Sequence, residues 1–116
     1  MITGSCHCGA VRFEVSRPDF AVSCNCSICR RLAALWVYAP PLEIRLFAPE
    51  GTTRAYSWGV GEIAFHSCST CGVCTHYIGL AGDRVAVNLR LADRPEVVEQ
   101  LRVRHFDGAN SWAFLD

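Results

Sequence analysis

Apolar and polar residues alternate early in the chain. Val11, Phe13 and Val15 are separated by Arg12 and Glu14, and Leu42, Ile44 and Leu46 repeat the pattern. A period of two puts the apolar set on one face of a strand and the polar set on the other. Short runs rich in Val, Ile, Tyr, Phe and Trp follow at Leu35–Ala39, Arg54–Trp58, Glu62–His66, His76–Leu80, Arg84–Leu91 and Val103–Phe106, divided by Gly, Pro or Asp. Each of these reads as a strand. The one helical candidate is Asp93–Leu101, where Pro95 can take the first helical position and Glu96 lies in the first turn. Many short strands without long helices between them predict an antiparallel all-β domain with at most one short helix. No linker, repeat or low-complexity run divides the chain, so residues 1–116 read as a single domain.

Composition narrows the function classes. Hydrophobic residues make up 51% and charged residues 19%, enough apolar surface for a packed core. Eleven arginines balance eleven acidic residues with no lysine, and the neutral result offers no diffuse basic field, so no nucleic-acid partner is expected. The start has neither a charged n-region nor an apolar h-region. The longest apolar stretch, Leu32 to Leu42, contains two prolines and is too short for a bilayer. A cytoplasmic protein without a membrane partner is the expectation. Trp36, Trp58 and Trp112 read as core and rim packing, Arg102 and Arg104 as a solvated strand face, and Asp107-Gly108 as a turn.

Eight cysteines change this picture. They fall into three clusters: Cys6-His-Cys8-Gly, Cys24-Asn-Cys26-Ser-Ile-Cys29, and Cys68-Ser-Thr-Cys71-Gly with Cys74 beyond. Such tight spacing suits tetrahedral zinc, whereas disulfides across such short gaps are strained. Glycine follows the second cysteine in the first and third clusters, at Gly9 and Gly72, where the chain must turn back and aim N–H groups at sulfur. Those two clusters read as halves of one closed structural site made by Cys6, Cys8, Cys68 and Cys71. Cys24, Cys26 and Cys29 make only three ligands, the pattern of a catalytic site with an open position. Arg30 and Arg31 beside them can offset thiolate charge or bind the carboxylates of an anionic thiol. Two alternatives stay open at this point: Cys74 completing a second closed site, and thiol–disulfide exchange, which the lack of a βαβ pattern disfavours.

Taken in order, Gly4-Ser-Cys-His-Cys-Gly-Ala-Val11, Cys24-Asn-Cys-Ser-Ile-Cys-Arg-Arg31 and Phe65-His-Ser-Cys-Ser-Thr-Cys-Gly72 resemble the glutathione-dependent formaldehyde-activating enzyme (GFA) family, which includes centromere protein V. Cys74-Thr-His-Tyr77, Val87-Asn-Leu89 and Phe106-Asp-Gly108 extend the likeness over nearly the whole chain. The resemblance implies an Mss4-like antiparallel β-sandwich stabilised by zinc. It implies two zinc ions, a structural one on Cys6, Cys8, Cys68 and Cys71 and a catalytic one on Cys24, Cys26 and Cys29. It also implies a carbon–sulfur lyase-type activity that joins glutathione to formaldehyde, with small-molecule thiol and carbonyl partners. Here Ile78-Gly-Leu-Ala-Gly-Asp-Arg84 stands where members like the founding enzyme often carry an Arg-Ser-Asn-Pro-like stretch. His66 and His76, near the third cluster, are candidate proton donors outweighed by a packing role, and His7 is expected on the opposite face of its strand. The competing class is a non-catalytic zinc-stabilised β-module that binds a protein. Such a module has no use for three thiolates with a vacancy.

Overall fold

The computed structural model describes residues 1–82 and 84–116, with Pro41 described by its backbone alone; Asp83, within the Ile78–Arg84 stretch, lies outside them. In chain order the elements are β1 (Ile2–Ser5), β2 (Arg12–Val15), β3 (Phe20–Cys24), α1 (Ser27–Leu32), β4 (Trp36–Ala39), β5 (Ile44–Phe47), β6 (Thr53–Tyr56), β7 (Ile63–Cys68), β8 (Cys74–Gly79), β9 (Val85–Asn88), α2 (Glu96–Gln100) and β10 (Arg102–Phe106). They form a three-stranded sheet ordered β1-β2-β5 and a seven-stranded sheet ordered β10-β3-β4-β9-β8-β7-β6. The all-β reading holds.

Strand alternation divides the large sheet into two apolar faces with different tasks. Ala21 on β3, Val37 on β4 and Val87 on β9 turn inward and pack with Phe13, Val15 and Ile44 of the small sheet. Their neighbours Val22, Trp36 and Ala86 turn to the opposite face and cluster with Phe65, Tyr77 and Cys29. A sheet covered on one side needs only one apolar face, so a second one requires something else to meet it. On this protein it meets α1 and an open cavity.

The structure corrects four details of the expectation. Two short helices are present, not at most one. The helix α1 has six residues, too few for a 3.6-residue period to show in the sequence. Cys26 caps its start in extended geometry, accepting from Cys29 N–H at 3.5 Å, and Ala33 ends it in the left-handed region at φ 53°. The sheet is not wholly antiparallel, because β10 runs parallel to β3 with Arg102 opposite Phe20 and Phe106 opposite Cys24. The chain must cross from β9 through α2 to the free edge of β3, and that return sets the direction. Leu42 is 98% exposed, since residues 41–43 form a 3-10 turn and the strand begins at Ile44. The second helix is shorter than expected and starts after Pro95.

Candidate functional site

Two separate groups of sulfur atoms come together, each with all its sulfurs within 4.8 Å of one another: Cys6, Cys8, Cys68 and Cys71, and Cys24, Cys26 and Cys29. Every one of the eight cysteines is a free thiol. The division matches the grouping expected from the glycines. Cys74 belongs to neither group among the described residues; it is buried on β8, and burial pushes its thiol up to about 11.

The four-sulfur group joins two turns built alike. Cys6 N–H donates to Val11 O at 3.0 Å, and Cys68 N–H donates to Val73 O at 2.9 Å. Gly9 and Gly72 sit within these turns at φ 84° and 80°, which a side chain would strain. The turns then point N–H groups at sulfur: Val11 at Cys6 Sγ (3.3 Å), and Thr70 and Cys71 at Cys68 Sγ (3.4 and 3.5 Å). Backbone N–H groups of Val73 and Cys8 bring the Cys71 thiol down to about 6. Ala10 N–H draws Cys8 the same way, but hydrogen bonding with Cys68, Cys6 and Cys71 together with desolvation outweighs it and leaves Cys8 at about 11. Sulfur separations of 3.6 Å for Cys6–Cys8 and Cys8–Cys68 match the roughly 3.8 Å edge of a tetrahedral site with Zn–S near 2.3 Å. His7 lies exposed in the turn itself, beyond the end of β1.

The three-sulfur group is assembled where β3 ends and α1 begins. Cys26 N–H points at Cys24 Sγ at 3.5 Å, and the indole N–H of Trp36 reaches Cys29 Sγ at 3.4 Å. Hydrogen bonding from Cys29, supported by the N–H groups of Cys26 and Gly108, lowers the Cys24 thiol to about 5. The same bond to Cys24, with burial, pushes Cys29 up, so the pair shares a proton that sits on Cys29. A divalent ion would displace that proton, and three thiolates are the donor set zinc selects.

A cavity of about 730 Å³ opens directly on Cys24, Cys26 and Cys29. Trp36, Tyr38, Phe65 and Tyr77 from the large sheet line one side. The segment after β10 lines another. There Asn25 Nδ2 donates to Asp107 Oδ1 and Ala109 N–H donates to Asn25 Oδ1, both at 2.9 Å, while Ser111 N–H and Oγ donate to Asp107 Oδ2. These bonds hold the Asp107 carboxyl below its usual range and tie the segment to the β3–α1 turn. Asp107-Gly108 is therefore a turn, as expected, and also an anchor. At Gly108 a Cβ would lie 2.7 Å from Cys24 Sγ, so only glycine lets the backbone come this close.

Other expected residues stand apart from the cavity. Arg30 and Arg31 lie in the last turn of α1, outside the lining, with Arg31 donating to Ser27 O at 2.8 Å. The arginine that lines the cavity is Arg84, 3.9 Å from Glu62. His66 and His76 stack with ring centroids 4.7 Å apart, away from the lining, and burial followed by the charge of His66 brings His76 down to about 4. They pack on each other outside the lining, with the Thr53 and Thr75 hydroxyls at their Nδ1 atoms. Sequence reasoning missed Tyr38 and Tyr77, whose phenols burial raises above the ordinary value. Tyr38 is 43% exposed because it faces the cavity, yet the apolar walls still strip water from its hydroxyl. The available signal was Trp36-x-Tyr38 on one strand, two residues that share a face. Trp58 and Trp112 line the cavity, and Arg104, half-buried on its strand beside exposed Arg102, lies 3.9 Å from the Phe114 ring centroid.

Known proteins resemble this chain in sequence and fold. The family model for "Glutathione-dependent formaldehyde-activating enzyme" matches residues 1–103. A protein of Halomonas elongata named "Putative glutathione-dependent formaldehyde-activating enzyme" is 51% identical over 41 residues, which take in 34% of this chain and 26% of that protein. The matched stretch thus spans about a quarter of that relative. The crystal structure of a Rhodobacter sphaeroides protein superimposes with a TM-score of 0.70 at 29% identity, covering 87% of this chain and 98% of that one. With most of its length matched by the family model, the chain belongs to the glutathione-dependent formaldehyde-activating enzyme family.

Proposed function

We propose that this protein joins a thiol to a carbonyl compound, with glutathione and formaldehyde as the pair the family name suggests. Cleavage of the adduct is the same reaction reversed, which makes the enzyme a carbon–sulfur lyase. One observation carries the reading: the three-sulfur group forms the wall of a large cavity, whereas the four-sulfur group does not line it. Scaffold sites are closed, and catalytic ones face the space where substrate arrives.

Cys24, Cys26 and Cys29 would hold one zinc ion, and Cys6, Cys8, Cys68 and Cys71 a second that ties β1 to the β7–β8 turn. When bound, the first ion supplies Lewis acidity and lowers the pKa of a thiol beside it. The rest falls to the chain. Trp36, Phe65 and Phe106 exclude water from the reacting groups. Tyr38 and Tyr77 keep their protons at neutral pH and offer Oη–H to the oxygen that gains charge as sulfur attacks carbon. Arg30 and Arg31 act from outside the cavity by offsetting thiolate charge, and Arg84 is placed to meet a substrate carboxylate. Eight free thiols suit a reducing compartment, so a cytoplasmic setting belongs to the same proposal. Among the described residues no helix is long and apolar enough to cross a membrane.

Exchange NMR on glutathione and formaldehyde tests the reading, because it measures interconversion of free thiol and adduct at equilibrium. The wild-type protein is expected to speed exchange over the spontaneous rate, and Cys26→Ser is expected to abolish that gain. Equal rates with and without wild-type protein would overturn it.

A further inference from the structure

The cavity is far larger than formaldehyde requires, and its walls are mostly apolar, with few charged groups for glutathione to pair with. A molecule of two heavy atoms needs about twice the ~30 Å³ share of a water, whereas about 730 Å³ lies in the ~300–1,000 Å³ range of sites for drug-sized ligands. Glutathione could occupy that space, but it carries two carboxylates and an ammonium group that need partners when desolvated. Among the described lining residues the acidic and basic side chains are Glu62 and Arg84, 3.9 Å apart, which leaves one cation for two carboxylates. What the walls offer is aromatic surface. Trp36, Tyr38, Phe65 and Tyr77 come from the sheet, and Phe106, Trp112 and Phe114 from the far side. That far side, beginning at Phe106, lies beyond residues 1–103, the stretch the family model matches. It is also a built wall: Trp112 and Phe114 meet the Phe106 ring edge-on at 5.1 and 5.2 Å.

Resting on the proposed thiol–carbonyl reaction, we propose that the substrate pair brings a bulky apolar group, of the size of a phenyl ring or larger, into this cavity. The reaction itself is unchanged. The thiol S–H adds across C=O, a C–S bond forms as the carbonyl π bond breaks, and the thiol proton ends on the former carbonyl oxygen, with no net oxidation. The apolar group can be carried by the aldehyde or by the thiol, and either is held by offset and edge-on contacts with the aromatic walls.

Exchange NMR with three pairs separates the sources: glutathione with phenylacetaldehyde, benzyl mercaptan with formaldehyde, and glutathione with formaldehyde. Acceleration at least tenfold greater in one aromatic pair than in the glutathione–formaldehyde pair supports the inference and identifies which partner carries the ring. Trp58→Ala is expected to lower the acceleration of that pair about tenfold, with unchanged circular dichroism. Saturation transfer from the protein to the ring protons of 2-phenylethanol, a probe that cannot react, is expected without any turnover. Equal or greater acceleration of the glutathione–formaldehyde pair overturns the inference and leaves the proposed function standing. No acceleration in any pair overturns the proposed function, and the inference with it.

Discussion

Gly108→Ala places one methyl group against the three-sulfur site. Its Cβ would stand 2.7 Å from Cys24 Sγ, 3.2 Å from Cys26 Cβ and 3.5 Å from Trp112 Cζ3. Ordinary contact begins near 3.5 Å, so sulfur and methyl must separate by roughly 0.8 Å. Metal–ligand distances tolerate only about ±0.2 Å, so Cys24 cannot both avoid the methyl and keep its place in a shared site. Overpacking of this kind costs about 1–3 kcal/mol, and the strain lies at the β3–α1 turn, away from the core between the sheets. The variant is therefore expected to fold, to unfold a few degrees lower on heating, and to retain one zinc per chain where the wild type retains two. Gly4→Ala is the contrast: there the Cβ meets the Phe13 ring and lies 2.6 Å from the Leu91 carbonyl, a backbone atom that cannot yield, so global stability falls instead. Metal analysis alongside thermal unfolding reads both effects. If Gly108→Ala keeps two ions and wild-type exchange kinetics, the reasoning about Cys24 is refuted.

Trp36→Phe removes the N–H that reaches Cys29 Sγ and leaves a void in a fully buried position, and is expected to cost about 1–3 kcal/mol by urea unfolding. Asn25→Ala frees Asp107 and the segment behind it, and is expected to weaken metal retention by the three cysteines about 10–100-fold in a chelator competition. His76 is held neutral with a pKa of about 4, against ~6.5 in an unfolded chain, so the unfolded state binds the proton first as pH falls. Stability is expected to drop by on the order of 3 kcal/mol between about pH 6.5 and pH 4 and to show no further loss from this group below that. His76→Gln should remove that part of the slope in unfolding curves measured across the window.

The local parts of this structure were written plainly in the residues. Gly9 and Gly72 announced two matching turns, and the Val11-Phe13-Val15 alternation announced β2, because both signals act within a few positions. The helix α1 carried no such signal; six residues starting from a cysteine cap look like loop. The cavity was hidden for a different reason. Tyr38, Trp58 and Trp112 reach it from three distant segments, and nothing in the sequence brings them together until the return of β10 beside β3 is known. Arg30 and Arg31 stand nearer to Cys29 in sequence than Arg84, which reaches the cavity from just before β9. Proximity in sequence to Cys29 stood in for proximity in space, and a helix turned them away.

Zinc content of the wild type, Cys26→Ser and Cys71→Ser, measured by elemental analysis together with far-ultraviolet circular dichroism, tests the central claim most directly. The account expects two ions per wild-type chain, one ion and an intact β-spectrum for Cys26→Ser, and collapse of the fold for Cys71→Ser. A single ion in the wild type, or equal unfolding of the two variants, would contradict the division into a scaffold site and a site that faces the cavity.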